Sequence, residues 1–417
     1  MGYSSQGMDA PIHDADPSGK TARGSQASRG SLTTLFILVV VDLIGFGVVI
    51  PILPFYAESY GASATVLGFL VASFAGMQFL FAPIWGRLSD RFGRRPILLS
   101  TVAGTALALL ALGLSPSLFW VFVARIAGGM FGANISVASA YITDATDETE
   151  RTRYMGLLGA SFAVGFILGP GIGGALAPYG YHVPLLLAAG LAAVNWVVAW
   201  FHLEEPVKEP ADAEDGEAAG SGRPARRGFA LPSSPRARRI CVAYFVFIYA
   251  VSQLETVFAF LMMDQFGYDA LHVAFILVLM GVIMAGIQGG AIRPLARRFG
   301  ERKLWIAGTA ILAPCLAVVP FLHDVWYLLL PLAIASVGRG LIHPSILSLV
   351  SRSATREERG LVMGTFQSSA SLARVVGPFA AGALYDWRMV SPFVVAGALM
   401  LVVLAFGVSL DEPPVAA

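Results

Sequence analysis

The sequence predicts an all-α integral membrane protein, with twelve transmembrane helices in two six-helix bundles related by a pseudo-two-fold repeat. Three observations predict it. Of 417 residues, 56% are hydrophobic and only 13% charged, about half the charged share of an average soluble domain. Apolar runs recur along nearly the whole chain, most of them ~18–25 residues long, enough to cross a ~30 Å hydrocarbon layer. The chain also aligns with itself at a shift of 208 residues.

In chain order, the first segment is polar and Gly/Ser-rich, which predicts a disordered tail over residues 1–31. Its "SGKT" (Ser18 to Thr21) resembles the end of a phosphate loop, but Asp14 stands where that loop needs its first glycine. The first apolar run is too long for a signal peptide and lacks a small-residue cleavage site. Twelve runs then follow: 32–57, 64–85, 97–114, 117–142, 154–177, 183–203, 240–263, 270–292, 304–321, 325–350, 361–384 and 391–410. Open sheet edges cannot face lipid, and the runs lack the ~10-residue alternation of a membrane barrel, so they are read as helices. Residues 204–238, rich in Pro, Gly, Ala and charge, read as a flexible linker. The expected organisation is a tail (1–31), a bundle (32–203), the linker (204–238), a second bundle (239–410) and a C-terminal tail (411–417). Cys241 and Cys315 fall in apolar runs and read as small core residues. Asn134-Ile135-Ser136 fits a glycosylation pattern but lies inside a run.

Placing both termini in the cytoplasm puts 24 of the 28 Lys and Arg in the tails and loops of that side, and only Arg388 in an outer loop. Such asymmetry sets orientation by the positive-inside rule. The net charge of +1 carries no signal for nucleic acid.

The repeat is carried by "ERTRYMGLLGASFAVGFILGPGIGGAL" (150–176) against 357–384, with Arg151/Arg359, Gly156/Gly364, Gly169/Gly377, Pro170/Pro378 and Gly174/Gly382 among the identities. "RFGRR" (91–95) matches "RFGER" (298–302) at a shift of 207. A six-plus-six parallel repeat is the plan of alternating-access transporters, which open a midplane site to either side. The glycines of "GFILGPGIGG" (165–174) also satisfy a dinucleotide fingerprint. No strand precedes them, however, and no acidic ribose partner follows about 20 residues on.

"GRLSDRFGRRPILL" (86–99), between runs 2 and 3, resembles the loop signature of the major facilitator superfamily through Gly86, Leu88, Asp90, Arg91, Gly93, Arg94 and Arg95. The glycines permit a tight turn; Asp90 is placed to accept from a helix N-terminus, and the arginines to clamp acidic residues. The resemblance implies that this loop latches the first bundle to the start of run 11, near Gly360. The second copy, "RPLARRFGER" (293–302), has Arg293 and Arg297 where Gly86 and Asp90 stand.

"VDLIGFGVVIPILP" (41–54), "ARIAGGMFGA" (124–133) and "GFILGPGIGG" look like helices 1, 4 and 5 of the twelve-helix drug:proton antiporter branch, the last through Gly165, Gly169, Pro170, Gly173 and Gly174. With "MQFLFAPIWGRLSDRFGRRP" and "AYITDATDETER", the first half is similar to bacterial tetracycline efflux proteins. Those pumps carry an acidic residue in helices 3 and 9, whereas 97–114 and 304–321 contain none.

Charge inside a span costs ~2.5–3.5 kcal/mol on insertion scales and marks function by default. The candidates are Asp42, Arg125, Glu255, Arg339, His343 and Arg374. Asp42 or Glu255 is expected to carry a coupled proton, with Arg125 tuning whichever carboxylate it approaches; a static Asp42–Arg125 ion pair is the alternative. Arg339 and His343 are candidates for substrate contact or an interhelical hydrogen bond, and Arg374 for a structural role. Phe258, Phe260, Met262 and Met263 are candidates for an apolar pocket or for packing.

The expected function is proton-coupled efflux of a small amphipathic compound across the cytoplasmic membrane. The alternatives are uptake of a small metabolite by proton symport and a non-transporting receptor or scaffold. The expected partners are a small-molecule substrate, protons and the lipid bilayer. The chain is read as a monomer, not an enzyme, with no cofactor, metal or catalytic residue.

Overall fold

The computed structural model describes residues 29–206, 232–355 and 358–410. The expected N-terminal tail up to residue 28, the linker from 207 to 231 and the tail from 411 lie outside these residues. The described chain is helical: α1 (Arg29–Glu58), α2 (Ala64–Phe92), α3 (Arg94–Gly113), α4 (Leu118–Ala145), α5 (Glu148–Leu176), α6 (His182–His202), α7 (Pro235–Phe266), α8 (Ala270–Phe299), α9 (Glu301–Val318), α10 (Val325–Arg352), α11 (Arg359–Trp387) and α12 (Ser391–Ser409). Among the described residues, eleven of these are long and apolar enough to cross a membrane. The exception, α11, has 29 residues but carries Gln367, Ser368, Ser369, Ser371 and Arg374. It packs between α2 and α7, where polar groups are less costly than against lipid.

The sequence repeat is a packing repeat. In the first half α1 packs on α5 and α6, α3 on α4 and α6, and α2 on α4. In the second, α7 packs on α11 and α12, α9 on α10 and α12, and α8 on α10. Lipid tails are as apolar as leucine side chains, so helices in a bilayer are held by close contact of small residues. Gly308 of α9 and Gly338 of α10 face each other's backbone carbonyls. On α7, Ser252 fills the notch left by Gly377 of α11.

The two halves meet along two related seams, α2 on α11 and α5 on α8. Both are tight at the end holding the α1–α2 turn. There Gly68 abuts Pro378, Gly382 abuts Ala64, Phe69 and Phe379 have ring centroids 4.6 Å apart, and Gly174 abuts Ala274. Toward the other end the seams part: Gly76 meets only Val375 at 3.9 Å, and Gly86, Gly156, Gly286, Gly360 and Gly364 face open space. The result is a cleft closed at the α1–α2 end and open at the arginine-rich α2–α3 end.

Two helices depart from the runs read in sequence. The fourth is not continuous but breaks into Leu118–Phe131 and Asn134–Ala145. Gly128, Gly129 and Gly132 are poor helix formers, and backbone freed inside a membrane needs partners. Gln78 Nε2 donates to the Gly132 carbonyl at 2.5 Å and Trp85 Nε1 to that of Met130 at 2.6 Å. The eighth runs on to Phe299 through a π-helical turn over Ile287–Ala291, so Arg293, Arg297 and Arg298 lie on helix rather than in a loop.

Candidate functional site

The helix break places Asn134 at the start of the second half of α4, and its Nδ2 donates to Asp42 Oδ1 at 2.7 Å. Thr105 of α3 completes the group, with its hydroxyl 3.4 Å from the same nitrogen. Asp42 therefore faces the N-terminus of a half-helix, whose exposed amides and dipole favour negative charge. It remains partly exposed, although it lies near the middle of α1.

Arg125 does not pair with Asp42. Its guanidinium stacks over the Phe74 ring, 4.2 Å from the centroid, and among the described residues no carboxylate lies within 4.0 Å of it. It is 7% exposed, and its Nε has no partner. The static Asp42–Arg125 pair weighed above is thus replaced by two separate arrangements, an acid with an amide and a cation with an aromatic face. Neither carboxylate lies within ion-pair distance of Arg125 in this conformation. Phe74 continues into Phe46 (5.8 Å) and Phe46 into Phe166 (6.1 Å), an aromatic wall on the first bundle.

In the second bundle, Arg339 donates to Glu255 at 2.5 Å. The Glu255 side chain is half exposed. His343, one turn on from Arg339, lies 5.9 Å from the Tyr244 ring, which stacks on Phe366 at 3.8 Å. Arg374 is exposed and, among the described residues, has neither hydrogen bond nor ion pair, so no polar partner supports the structural role expected for it. Phe258, Phe260 and Met262 are buried in the packing of α7, with Met263 against it.

The loop signature reduces to one residue outside helix, Gly93, at φ +101°. The acceptor at the α3 N-terminus is Glu205, not Asp90: its carboxylate takes Arg94 N at 2.5 Å and Arg95 N at 2.8 Å. A side chain at residue 93 would collide with it. Asp90 pairs with Arg94 at 2.7 Å, and Arg94 with Asp144 of α4 at 2.7 Å. Arg95 also donates to the Trp200 carbonyl, while Arg91 lies over Phe92. Among the described residues these bonds run within the first bundle; Gly86 and Gly360, the latch ends expected from the resemblance, both face open space.

In the antiporter stretch, Gly165, Gly169 and Gly173 share one face against α1. A methyl group at Gly169 would lie 2.5 Å from Gly47 Cα, and one at Gly173 2.8 Å from the Val48 carbonyl. Pro170 touches Gly47 beside them, whereas Gly174 faces α8.

At the closed end, Asp386 of α11 reaches across to α2 and accepts from Ala64 N (3.1 Å) and Thr65 N (2.9 Å). Beside it Tyr385 donates to Asp264 of α7 at 2.6 Å. The matching position in the first half is Pro178, so among the described residues this tie exists on one seam only. Sequence reasoning missed Asn134, Phe74, Glu205 and Asp386. Asn134 had been visible as a polar residue inside an apolar run. Among the described residues no three His, Cys, Asp or Glu side chains gather as a metal site would require.

Comparison with known proteins agrees with this architecture. The sequence profile of the Major Facilitator Superfamily matches residues 35–293 and 291–417. Tetracycline resistance protein, class C, of Escherichia coli is 32% identical over 393 residues, covering 90% of this chain and 96% of that protein. Multidrug resistance protein 2 of Bacillus subtilis (strain 168) is 29% identical over 380 residues, covering 88% and 93%. Among solved structures, the human organic anion transporter MFSD10 (TETRAN) superposes with a TM-score of 0.67 at 26% identity, covering 91% of this chain and 99% of that one.

Proposed function

The chain belongs to the Major Facilitator Superfamily, a family of multi-pass membrane transporters rather than enzymes, and from that premise we propose that it exports a small amphipathic compound in exchange for protons. The observation that carries this reading is the pairing of Asp42 with Asn134 at a broken helix. An acid in a span is costly unless used, and discontinuous helices are where transporters of this kind place their coupling sites. Asn134 occupies one carboxylate oxygen and leaves Oδ2 to take the proton. When Asp42 is charged, the amide and half-helix terminus hold it; when it is protonated, that attraction falls away and the two helices are freer to shift.

The positive-inside rule puts the arginine-rich open end, and both chain termini, in the cytoplasm of a bacterial-type cell membrane. The cleft then faces inward, ready to load substrate. Opening outward requires the α2–α11 and α5–α8 seams to part, and with them the Asp386 tie, while the arginine-rich ends close. The chain acts as a monomer, since both walls of the cleft come from its own two bundles. The relatives' names, tetracycline and multidrug resistance proteins, support export.

Everted membrane vesicles acidified by respiration test the direction of coupling. Addition of a transported compound from a panel of tetracycline, fluorescein and rhodamine 6G should release protons from the vesicle lumen, read with an acridine dye. Proton entry accompanying the compound would instead indicate symport.

A further inference from the structure

The charged groups inside the spans are unevenly matched. Arg125, Arg339 and Arg374 stand against Asp42 and Glu255, and Glu255 is already taken by Arg339. Arg125 stacks on Phe74, and among the described residues Arg374 is the one of the three with neither an acid nor an aromatic ring against it. It is exposed, lacks any hydrogen bond or ion pair among the described residues, and lies mid-helix, where an unpaired charge is retained only for use. The exposed apolar residues of α11, Leu361, Leu372 and Val376, lie on the opposite side of the helix at ~100° per residue, so Arg374 is turned away from lipid.

The repeat sharpens the point. Arg374 corresponds at the 208-residue shift to Phe166, and Phe166 belongs to the aromatic wall with Phe46 and Phe74. At equivalent places in the two halves the cleft therefore presents an aromatic ring, Phe166, and a cation, Arg374. Phe46 is 37% exposed although it lies mid-helix on α1, so the aromatic wall has surface free for a ligand. A cationic ligand would meet net repulsion from the opposite wall. A neutral one would leave Arg374 desolvated and unpaired, which is costly in a low dielectric. An anion satisfies it, and a guanidinium offers a carboxylate or sulfonate a bidentate fork.

We infer that the cleft takes an amphipathic organic anion, whose negative group pairs with Arg374 and whose aromatic body lies against Phe46 and Phe166. Arg374 thereby sets the charge specificity of the transported compound. This rests on the export reading above for its physiological meaning, but the binding site itself does not depend on proton coupling.

Xanthene dyes test it, because fluorescein (anion) and rhodamine 6G (cation) share one ring system and differ in charge. Equilibrium binding of each to the full chain in neutral-lipid nanodiscs is followed by fluorescence anisotropy, with empty nanodiscs subtracted and melting temperature recorded for every variant. Fluorescein should bind at least tenfold more tightly than rhodamine 6G. Arg374→Gln should weaken fluorescein at least tenfold and erase the preference, Arg374→Lys should keep most of both, and Phe46→Ala should weaken fluorescein without altering the sign of the preference. Absent fluorescein binding, equal or tighter binding of rhodamine 6G, or unchanged fluorescein affinity in Arg374→Gln would each overturn the assignment. If Arg374→Gln fails to fold, the Lys variant decides alone: a folded Lys variant that has lost the charge preference overturns it. Loss of proton-driven export with this binding pattern intact would count against the export reading and leave the anion site standing.

Discussion

Asn134 holds Asp42 by a single 2.7 Å hydrogen bond across the α1–α4 contact, and it can do so because α4 is interrupted two residues earlier, at Gly132. A hydrogen bond to a charged group contributes ~1.5–3 kcal/mol. Asn134→Ala removes that from the charged form of Asp42 while leaving the protonated form nearly untouched. Gradient-driven transport should therefore fall roughly 10- to 100-fold at ~1.4 kcal/mol per decade, with melting temperature little changed. Wild-type transport in this variant would detach the pair from coupling.

Asp386 ties α11 to the first turn of α2 through the Ala64 and Thr65 amides. Replacing such a cap by alanine costs ~0.5–2 kcal/mol, and here the loss falls only on the state with the α1–α2 end closed. Asp386→Ala should shift the population toward opening at that end by roughly 2- to 30-fold. Spin labels at Ser59 and Trp387, both exposed there, should report a larger long-distance fraction by double electron–electron resonance. An unchanged distance distribution would mean the tie does not bear on gating.

The glycine face of α5 separates two neighbouring substitutions. At Gly169 a methyl group lies 2.5 Å from Gly47 Cα, whereas at Gly171 it lies 3.6 Å from the Val278 side chain, ordinary contact. Overpacking costs ~1–3 kcal/mol, so Gly169→Ala should lower the melting temperature and Gly169→Leu should abolish transport without preventing membrane insertion. Gly171→Ala should resemble wild type in both. Equal tolerance at the two sites would contradict the packing described.

Glu255, with its side chain half exposed, pairs with Arg339, and ion pairs open to solvent contribute only ~0–1 kcal/mol to folding. Glu255→Gln should fold normally. A charge swap, Glu255→Arg with Arg339→Glu, separates roles: if the pair is only a tie between α7 and α10, the swap restores transport to near wild type. If Glu255 serves the transport cycle, the swap stays at least tenfold impaired.

Much of the fold was legible because lipid removes most alternatives: apolar runs of spanning length must be helices, and the 208-residue repeat fixes which helices correspond. Helix discontinuities were not legible. The break in α4 depends on Gln78 and Trp85 arriving from α2 to satisfy carbonyls of Met130 and Gly132, a tertiary event that hydropathy does not encode. The charged candidates could be found by cost alone, but their partners could not. Arg125 chose the Phe74 face over Asp42, and Glu205, distant in sequence, displaced Asp90 from the α3 N-terminus. The small-residue face of α5 could be read from its four-residue spacing, since helix geometry puts such positions in one row.

The proposed export cycle turns on a proton carried by Asp42. Its most direct test is uptake of fluorescein into proteoliposomes with an imposed pH gradient, comparing wild type with Asp42→Asn. The wild type should show gradient-driven accumulation, and Asp42→Asn should lose it while fluorescein still binds and exchanges down its own gradient. Undiminished accumulation in Asp42→Asn would contradict it.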